Sequence, residues 1–173
     1  MKIYLISILC LLSLRLRAQQ ITVGGVAQIS DTKELKPLSS AEMLEKPKGL
    51  LDKSDVKYLP KDNKIYEKDG VYIGLWQVIE GITKRTLTEI QKEKVYLYNL
   101  DKTSTLVSSE IKNYSSINYL IINTQENDEC YYRFNSQPHN GLYLNGFIKY
   151  KKEDKDKAAA ILKDLLNNAK FKN

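Results

Sequence analysis

Nucleophilic catalysis needs a nucleophile, a base to deprotonate it and a group that orients the base. This chain of 173 residues carries one histidine and two cysteines. Cys10 falls in a hydrophobic N-terminal run, so Cys130 and His139 are the one pair from which a Cys–His dyad could be built. Cys130 alternates with Tyr132 and Phe134, a spacing that turns its thiol into a core. His139 follows Pro138 in a loop, where its ring is expected in solvent. The pair therefore reads as a buried structural thiol and a loop imidazole, and no catalytic residue is assigned.

Metal and phosphate chemistry fare no better. Transition-metal sites draw on several His or Cys ligands, which this composition does not supply. Glu126, Asp128 and Glu129 form an acidic hairpin tip, but without the alternating ligands and central glycine of a calcium loop it reads as a solvated turn. Val23-Gly24-Gly25-Val26 lacks the Lys-Ser/Thr of a phosphate-binding loop. Nothing singles out a catalytic pair among 21 acidic residues, and no cofactor is called for.

The aromatic residues are the remaining lead, with 12 tyrosines, three phenylalanines and one tryptophan. Tyr96 and Tyr98 share a face if the segment around them is a strand. Tyr131 and Tyr143 have the opposite parity to their core-like neighbours, and Trp76 turns away from Ile73. With Arg133 these make a candidate binding surface of Trp76, Tyr96, Tyr98, Tyr131, Arg133 and Tyr143. Exposed rings of this kind stack on sugars or receive a partner chain. The competing reading is that they fill a second layer beneath a helix or the N-terminal arm.

Charge narrows the partner class. The 27 basic and 21 acidic residues give a net charge of +6. Residues 1–18 read as an export signal: Met1-Lys2 is followed by an apolar run of 12 residues, Ile3–Leu14, too short to span a bilayer. Its removal near Ala18-Gln19-Gln20 would leave 24 basic against 21 acidic residues, or +3. Arg85 and Arg133 would then be the only arginines, which argues against nucleic acid. Cys10 follows Leu9 rather than a small residue, so a lipid anchor is not expected. The destination is the periplasm or the exterior, with no stable membrane span.

The elements follow from periodicity. Residues 19–63 form an N-terminal arm, punctuated by Pro37, Pro47, Gly49 and Pro60. Within it Ile21–Val23 and Val26–Ile29 are short strand candidates around Gly24-Gly25, and Ser40 is a possible helix start. The arm is either a strap on the core or a spacer; Leu50, Leu51, Val56 and Tyr58 favour packing. An α+β core domain spans residues 64–173. It opens with a hairpin of Lys64–Glu67 and Val71–Ile79 around Lys68-Asp69-Gly70. Residues 83–94 are ambiguous, with Leu87, Ile90 and Gln91 at helical spacing but Thr86 and Thr88 against it.

Val95–Leu100 reads as strand, Asn99–Ser104 as a turn and Thr105–Ile111 as a further strand. Ile117–Asn123 and Glu129–Asn135 make a hairpin closed by Thr124–Asp128, and Gln137–Gly141 is a loop. Leu142–Lys151 alternates as a strand. Ala158, Ile161, Leu162, Leu165, Leu166 and Ala169 form the stripe of an amphipathic helix. The class is α+β: a mainly antiparallel sheet with helices packed on it and an amphipathic C-terminal helix.

The run from Leu144-Asn145-Gly146-Phe147-Ile148-Lys149-Tyr150 through Asp156, Ala158–Ala160, the paired leucines and Lys170-Phe171 resembles small exported domains of the PsbP/DcrB-like type. The resemblance covers residues 117–171. It implies a sheet sandwiched between helices, and a binding or assembly role with no catalytic motif to carry over. The expected function is therefore a non-catalytic exported envelope protein that binds another envelope or secreted protein. The alternatives are a glycan-binding surface protein using aromatic platforms and, behind both, a hydrolase.

Overall fold

The computed structural model describes residues 20–30, 34–39 and 64–172. Residues 1–18, read as an export signal, Ser40 and the arm residues Leu50, Leu51, Val56 and Tyr58 lie outside the described residues. The chain order begins with β1 (Ile21–Val23), β2 (Ala27–Ile29), β3 (Lys36–Pro37), β4 (Lys64–Lys68), β5 (Val71–Ile79) and helix α1 (Leu87–Leu100). It continues with β6 (Thr105–Tyr114), β7 (Ile117–Glu126), β8 (Glu129–Ser136), β9 (Leu142–Lys151), helix α2 (Lys155–Asn167) and β10 (Ala169–Phe171).

Antiparallel pairing dominates, as the strand-then-helix pattern predicts. Seven strands form the main sheet in the order β3-β4-β5-β9-β8-β7-β6, and β1-β2-β10 form a second sheet of three. Two-residue turns join β4 to β5 and β6 to β7. Asp69 and Gly70 both have positive φ, as do Ser115 and Ser116, the geometry that lets a tight turn follow the right-handed twist of its strands.

One face of the main sheet is dry. Val71, Ile73, Leu75, Tyr119, Ile121, Cys130, Tyr132, Phe134, Leu144, Ile148 and Tyr150 bury against α2 and the small sheet. From α2 come Ala158, Ile161, Leu162, Leu165 and Leu166, and burying each of the larger four contributes about 1.5–3 kcal/mol relative to exposure. Ala169, expected in the helix stripe, instead starts β10: the helix ends at Asn167, and Ala169 pairs with Ile29. The small sheet thus ties the C-terminus to the β1–β2 hairpin of the arm.

The expectation of strand for Val95–Leu100 is wrong; these residues complete α1. Thr86 is not a weak helical residue but the N-cap. Its hydroxyl accepts from the Glu89 N–H at 3.2 Å while the Glu89 carboxylate accepts from the Thr86 N–H at 2.7 Å. That capping box starts a helix which the good formers Glu89 to Lys94 then carry through Val95 and Tyr96. The hairpin turn expected over Thr124–Asp128 is also shorter, since β7 runs to Glu126 and β8 starts at Glu129.

At the sheet centre, a Cβ on Gly146 would lie 2.3 Å from Phe134 Cζ and 2.6 Å from the Gly74 carbonyl oxygen. The ring could rotate, but the backbone oxygen belongs to the β5–β9 ladder and cannot. Gly146→Ala is expected to lower unfolding free energy by about 1–3 kcal/mol, read as a lower urea midpoint at unchanged slope.

Candidate functional site

Sheet register decides which predicted site residues meet. Tyr131 stands opposite Lys149 on β9 and Thr124 on β7, and Arg133 stands opposite Phe147 and Ile122. All of these project from the face opposite α2. Over the β6–β7 part of that face lies α1, whose Leu87 and Ile90 pack with Leu106, Leu120 and Ile122.

Here Tyr98, Tyr131 and Arg133 come together. The Arg133 guanidinium carbon lies 4.4 Å from the Tyr131 ring centroid and 5.9 Å from that of Tyr98. Its Nη2 donates to Glu126 Oε1 at 2.9 Å, and its Nη1 donates to the Thr124 hydroxyl. Tyr131 has a second cation, with Lys149 Nζ 5.5 Å from the ring centroid. Lys149 is only 4% exposed in its side chain and meets Glu129 Oε2 at 2.7 Å, an ion-pair distance without hydrogen-bond alignment. The Tyr131 hydroxyl donates to the same carboxylate at 3.2 Å.

Two cations, two carboxylates and two rings are therefore grouped with their charges balanced, although the Lys149 ammonium lacks a hydrogen-bond partner among the described residues, and two of the three acids of the hairpin tip are taken up as counterions. Beside them, burial and then the Arg133 charge lower the pKa of Lys94.

Trp76 borders this group on the same face, since it and Tyr131 both pack on the small cluster of Leu38, Ile65 and Phe147, whereas Tyr143 and Tyr96 lie elsewhere. Trp76 packs toward Phe147, with ring centroids 6.2 Å apart. Tyr143 is buried and donates to Glu80 Oε1 at 3.3 Å. Glu80 also lines an open cleft of about 460 Å³ at the start of α1, with Lys84, Arg85, Leu87, Ile111 and Pro138. Tyr96 stands apart. On a helix it lies roughly 200° from Tyr98, so the two do not share a face.

What the sequence reading missed is the outer ridge of α1. Tyr96, Leu97 and Leu100 are 63%, 53% and 60% exposed, and Leu87 is the helix's only fully buried residue. Tyr96 and Leu100, four residues apart, stand above one another on the side away from the sheet. The signal lay in the residues themselves, but reading them as strand hid the helical spacing.

His139 and Cys130 sit at opposite ends of the β8–β9 hairpin: His139 bridges Leu142, whereas Cys130 pairs with Tyr150. The six residue steps from Cys130 to Ser136 along β8 already span about 20 Å. The His139 ring is half-buried rather than fully solvated as expected: its Nε2 is buried, and its centroid lies 5.6 Å from that of Phe171 in a T-shaped contact. Burial raises the Cys130 pKa. Among the described residues no three His, Cys, Asp or Glu side chains are grouped to hold a metal ion, and no helix is long and apolar enough to cross a membrane.

Burial also pushes the Tyr119 and Tyr150 phenols well above their ordinary value. For Tyr131 burial acts first and the Glu129 and Glu126 charges add to it. These groups keep their protons in the folded state, while the unfolded chain releases them near pH 10. Their contribution to stability is thus complete below about pH 10 and lost progressively as pH rises from there toward their raised folded-state values. Absorbance titration should show a tyrosine fraction that ionises only on unfolding, together with a unfolding midpoint that falls above pH 10. Cys130 should likewise resist thiol reagents at neutral pH until denaturant is added.

No protein-family model and no curated protein matches the chain. Among solved structures, the solution structure of cyanobacterial PsbP (CyanoP) from Synechocystis sp. PCC 6803 is similar, with a TM-score of 0.52 at 9% identity. The match covers 89% of this chain and 92% of that one, so the likeness is not confined to residues 117–171 as the sequence pattern suggested. At this identity it is a likeness of fold: the chain has a PsbP-like α+β architecture.

Proposed function

We propose that this chain is an exported, non-catalytic accessory protein that docks another envelope or secreted protein on the outer ridge of α1. The observation that carries the reading is the exposed set Tyr96, Leu97 and Leu100. A helix lying on a sheet ordinarily turns its large apolar side chains inward, and aromatic and leucine side chains left outside are the anchors that interfaces bury. The PsbP-like fold is compatible with an accessory binding role. Export rests on the N-terminal charge and apolar run of residues 1–18.

A glycan platform is the weaker reading. It needs open ring faces flanked by polar groups, whereas Tyr98 and Tyr131 turn theirs toward Arg133 and Trp76 lies near Phe147.

Affinity capture of the tagged mature protein from an envelope extract should recover a stoichiometric protein that Tyr96→Ser with Leu100→Ser no longer retains. Because both side chains are exposed, the double variant should unfold within about 0.5 kcal/mol of the parent per site. Equal capture by parent and variant would remove the α1 ridge from the reading. Intact mass of the secreted form should lack residues 1–18; their retention would remove the export signal.

A further inference from the structure

The outer edge of β6 leaves a row of backbone groups with no neighbouring strand among the described residues. Among the described residues β6 pairs with β7 alone and ends the main sheet. Tyr114 and Ile117 close the two-residue Ser115-Ser116 turn, and such a pair exchanges both backbone hydrogen bonds. Alternation then directs the N–H and C=O groups of Lys112 and Glu110 toward β7. Those of Asn113, Ile111 and Ser109 point to the open edge. One side-chain bond agrees: Gln91 Nε2 reaches the Ser109 carbonyl oxygen at 3.0 Å, leaving that oxygen a second lone pair. The run is regular from Ser108 to Tyr114, because the register shift of β6 lies between Leu106 and Ser108.

We propose that a second copy of this chain pairs with β6, antiparallel, about a two-fold axis at Ile111. Only edge-facing residues can form hydrogen-bonded pairs across the new junction, which restricts a symmetric register to a few choices. Centring on Glu110 would set two glutamates face to face, and centring on Lys112 would set two lysines face to face. Centring on Ile111 sets each Glu110 opposite Lys112 of the second copy, in the closer, non-hydrogen-bonded type of pair with Cα atoms about 4.5 Å apart.

In that register Ile111 meets its symmetry mate, and Ser109 meets Asn113 of the second copy, each pair exchanging both backbone bonds. Ile111 is 39% exposed and so has apolar surface to bury there. Within one chain Lys112 Nζ already lies 2.7 Å from Glu110 Oε1, so pairing exchanges an ion pair along the strand for two across it. The Glu110 and Lys112 side chains lie on the opposite sheet face from α1. The joined sheet would thus carry two copies of the α1 ridge on one face. The inference stands on β6 alone and survives if the ridge binds nothing.

Sedimentation of the full chain across a concentration series should show a mass of two chains. Glu110→Lys alone, or Lys112→Glu alone, sets like charges opposite each other twice and should weaken dimerisation about tenfold or more. The exchange of both, Glu110→Lys with Lys112→Glu, restores opposite charges in the same register and should restore the dimer. Hydrogen exchange should find the Ser109, Ile111 and Asn113 amides protected in the dimer and fast in either single variant. A one-chain mass at every concentration would overturn the proposal and leave the charged pair as a guard on a free edge. A dimer unaffected by both single reversals would overturn it too, since the contact would then lie elsewhere. Thermal melts of all three variants separate a lost interface from a lost fold.

Discussion

Two phenyl rings at the middle of the sheet each lie across a glycine of the neighbouring strand, one ring on either face. Phe134 of β8 covers Gly146 of β9, and Phe147 of β9 covers Gly74 of β5. The rings occupy the space that side chains at the glycines would fill, so aromatic volume is packed on both faces while the backbones stay in ladder contact. A one-residue slip would set a ring against a Cβ and also turn each strand's apolar set to the wrong face. This interlock fixes β5, β9 and β8 relative to one another. The α2 face and the row holding Lys149, Tyr131 and Thr124 both inherit their alignment from it.

The two faces of the sheet then meet different electrostatic demands. Toward α2 and the small sheet the interior is nearly all hydrocarbon and phenol; the Tyr150 hydroxyl donates to Asn123 Oδ1 at 3.1 Å, while the buried Tyr119 hydroxyl has no hydrogen-bond partner among the described residues. On the other face charges are brought in, and each brings a counterion: Arg133 with Glu126, and Lys149 with Glu129. Removing one member would strand the other in a low-dielectric setting, so the cluster persists as a unit. Its rings serve as packing for cations. The helix that lies over this face carries exposed apolar surface, with no layer above Tyr96, Leu97 and Leu100 among the described residues.

How far the amino-acid sequence could be read depended on whether a segment's signal was periodic or contextual. Leu142–Lys151 and the Ile161 to Leu166 stripe were legible to the residue, because strict alternation and 3.6-residue spacing each have one geometric solution. The stretch Val95-Tyr96-Leu97-Tyr98 was misread, since β-branched and aromatic residues favour strand locally. The capping box at Thr86 and the formers that follow it overrode that preference. β10 was invisible for another reason: a three-residue strand carries no period, and Ala169-Lys170-Phe171 is a strand only because β2 is there to pair with it. Of the candidate site, the residues could be named, but their grouping could not.

By itself the sequence determined the fold class, the strand-rich core closed by an amphipathic helix, the hairpin at Asp69-Gly70 and the inward-facing Cys130. Each follows from local chain geometry: alternation, helical spacing, or a turn that demands positive φ. Tertiary structure alone decided that Tyr98, Tyr131 and Arg133 converge while Tyr96 stands apart, that Tyr143 is buried, and that β6 ends the sheet among the described residues. Those outcomes depend on register and strand order, which are set by contacts between residues far apart in the chain. No periodicity within a segment records which neighbour it will meet.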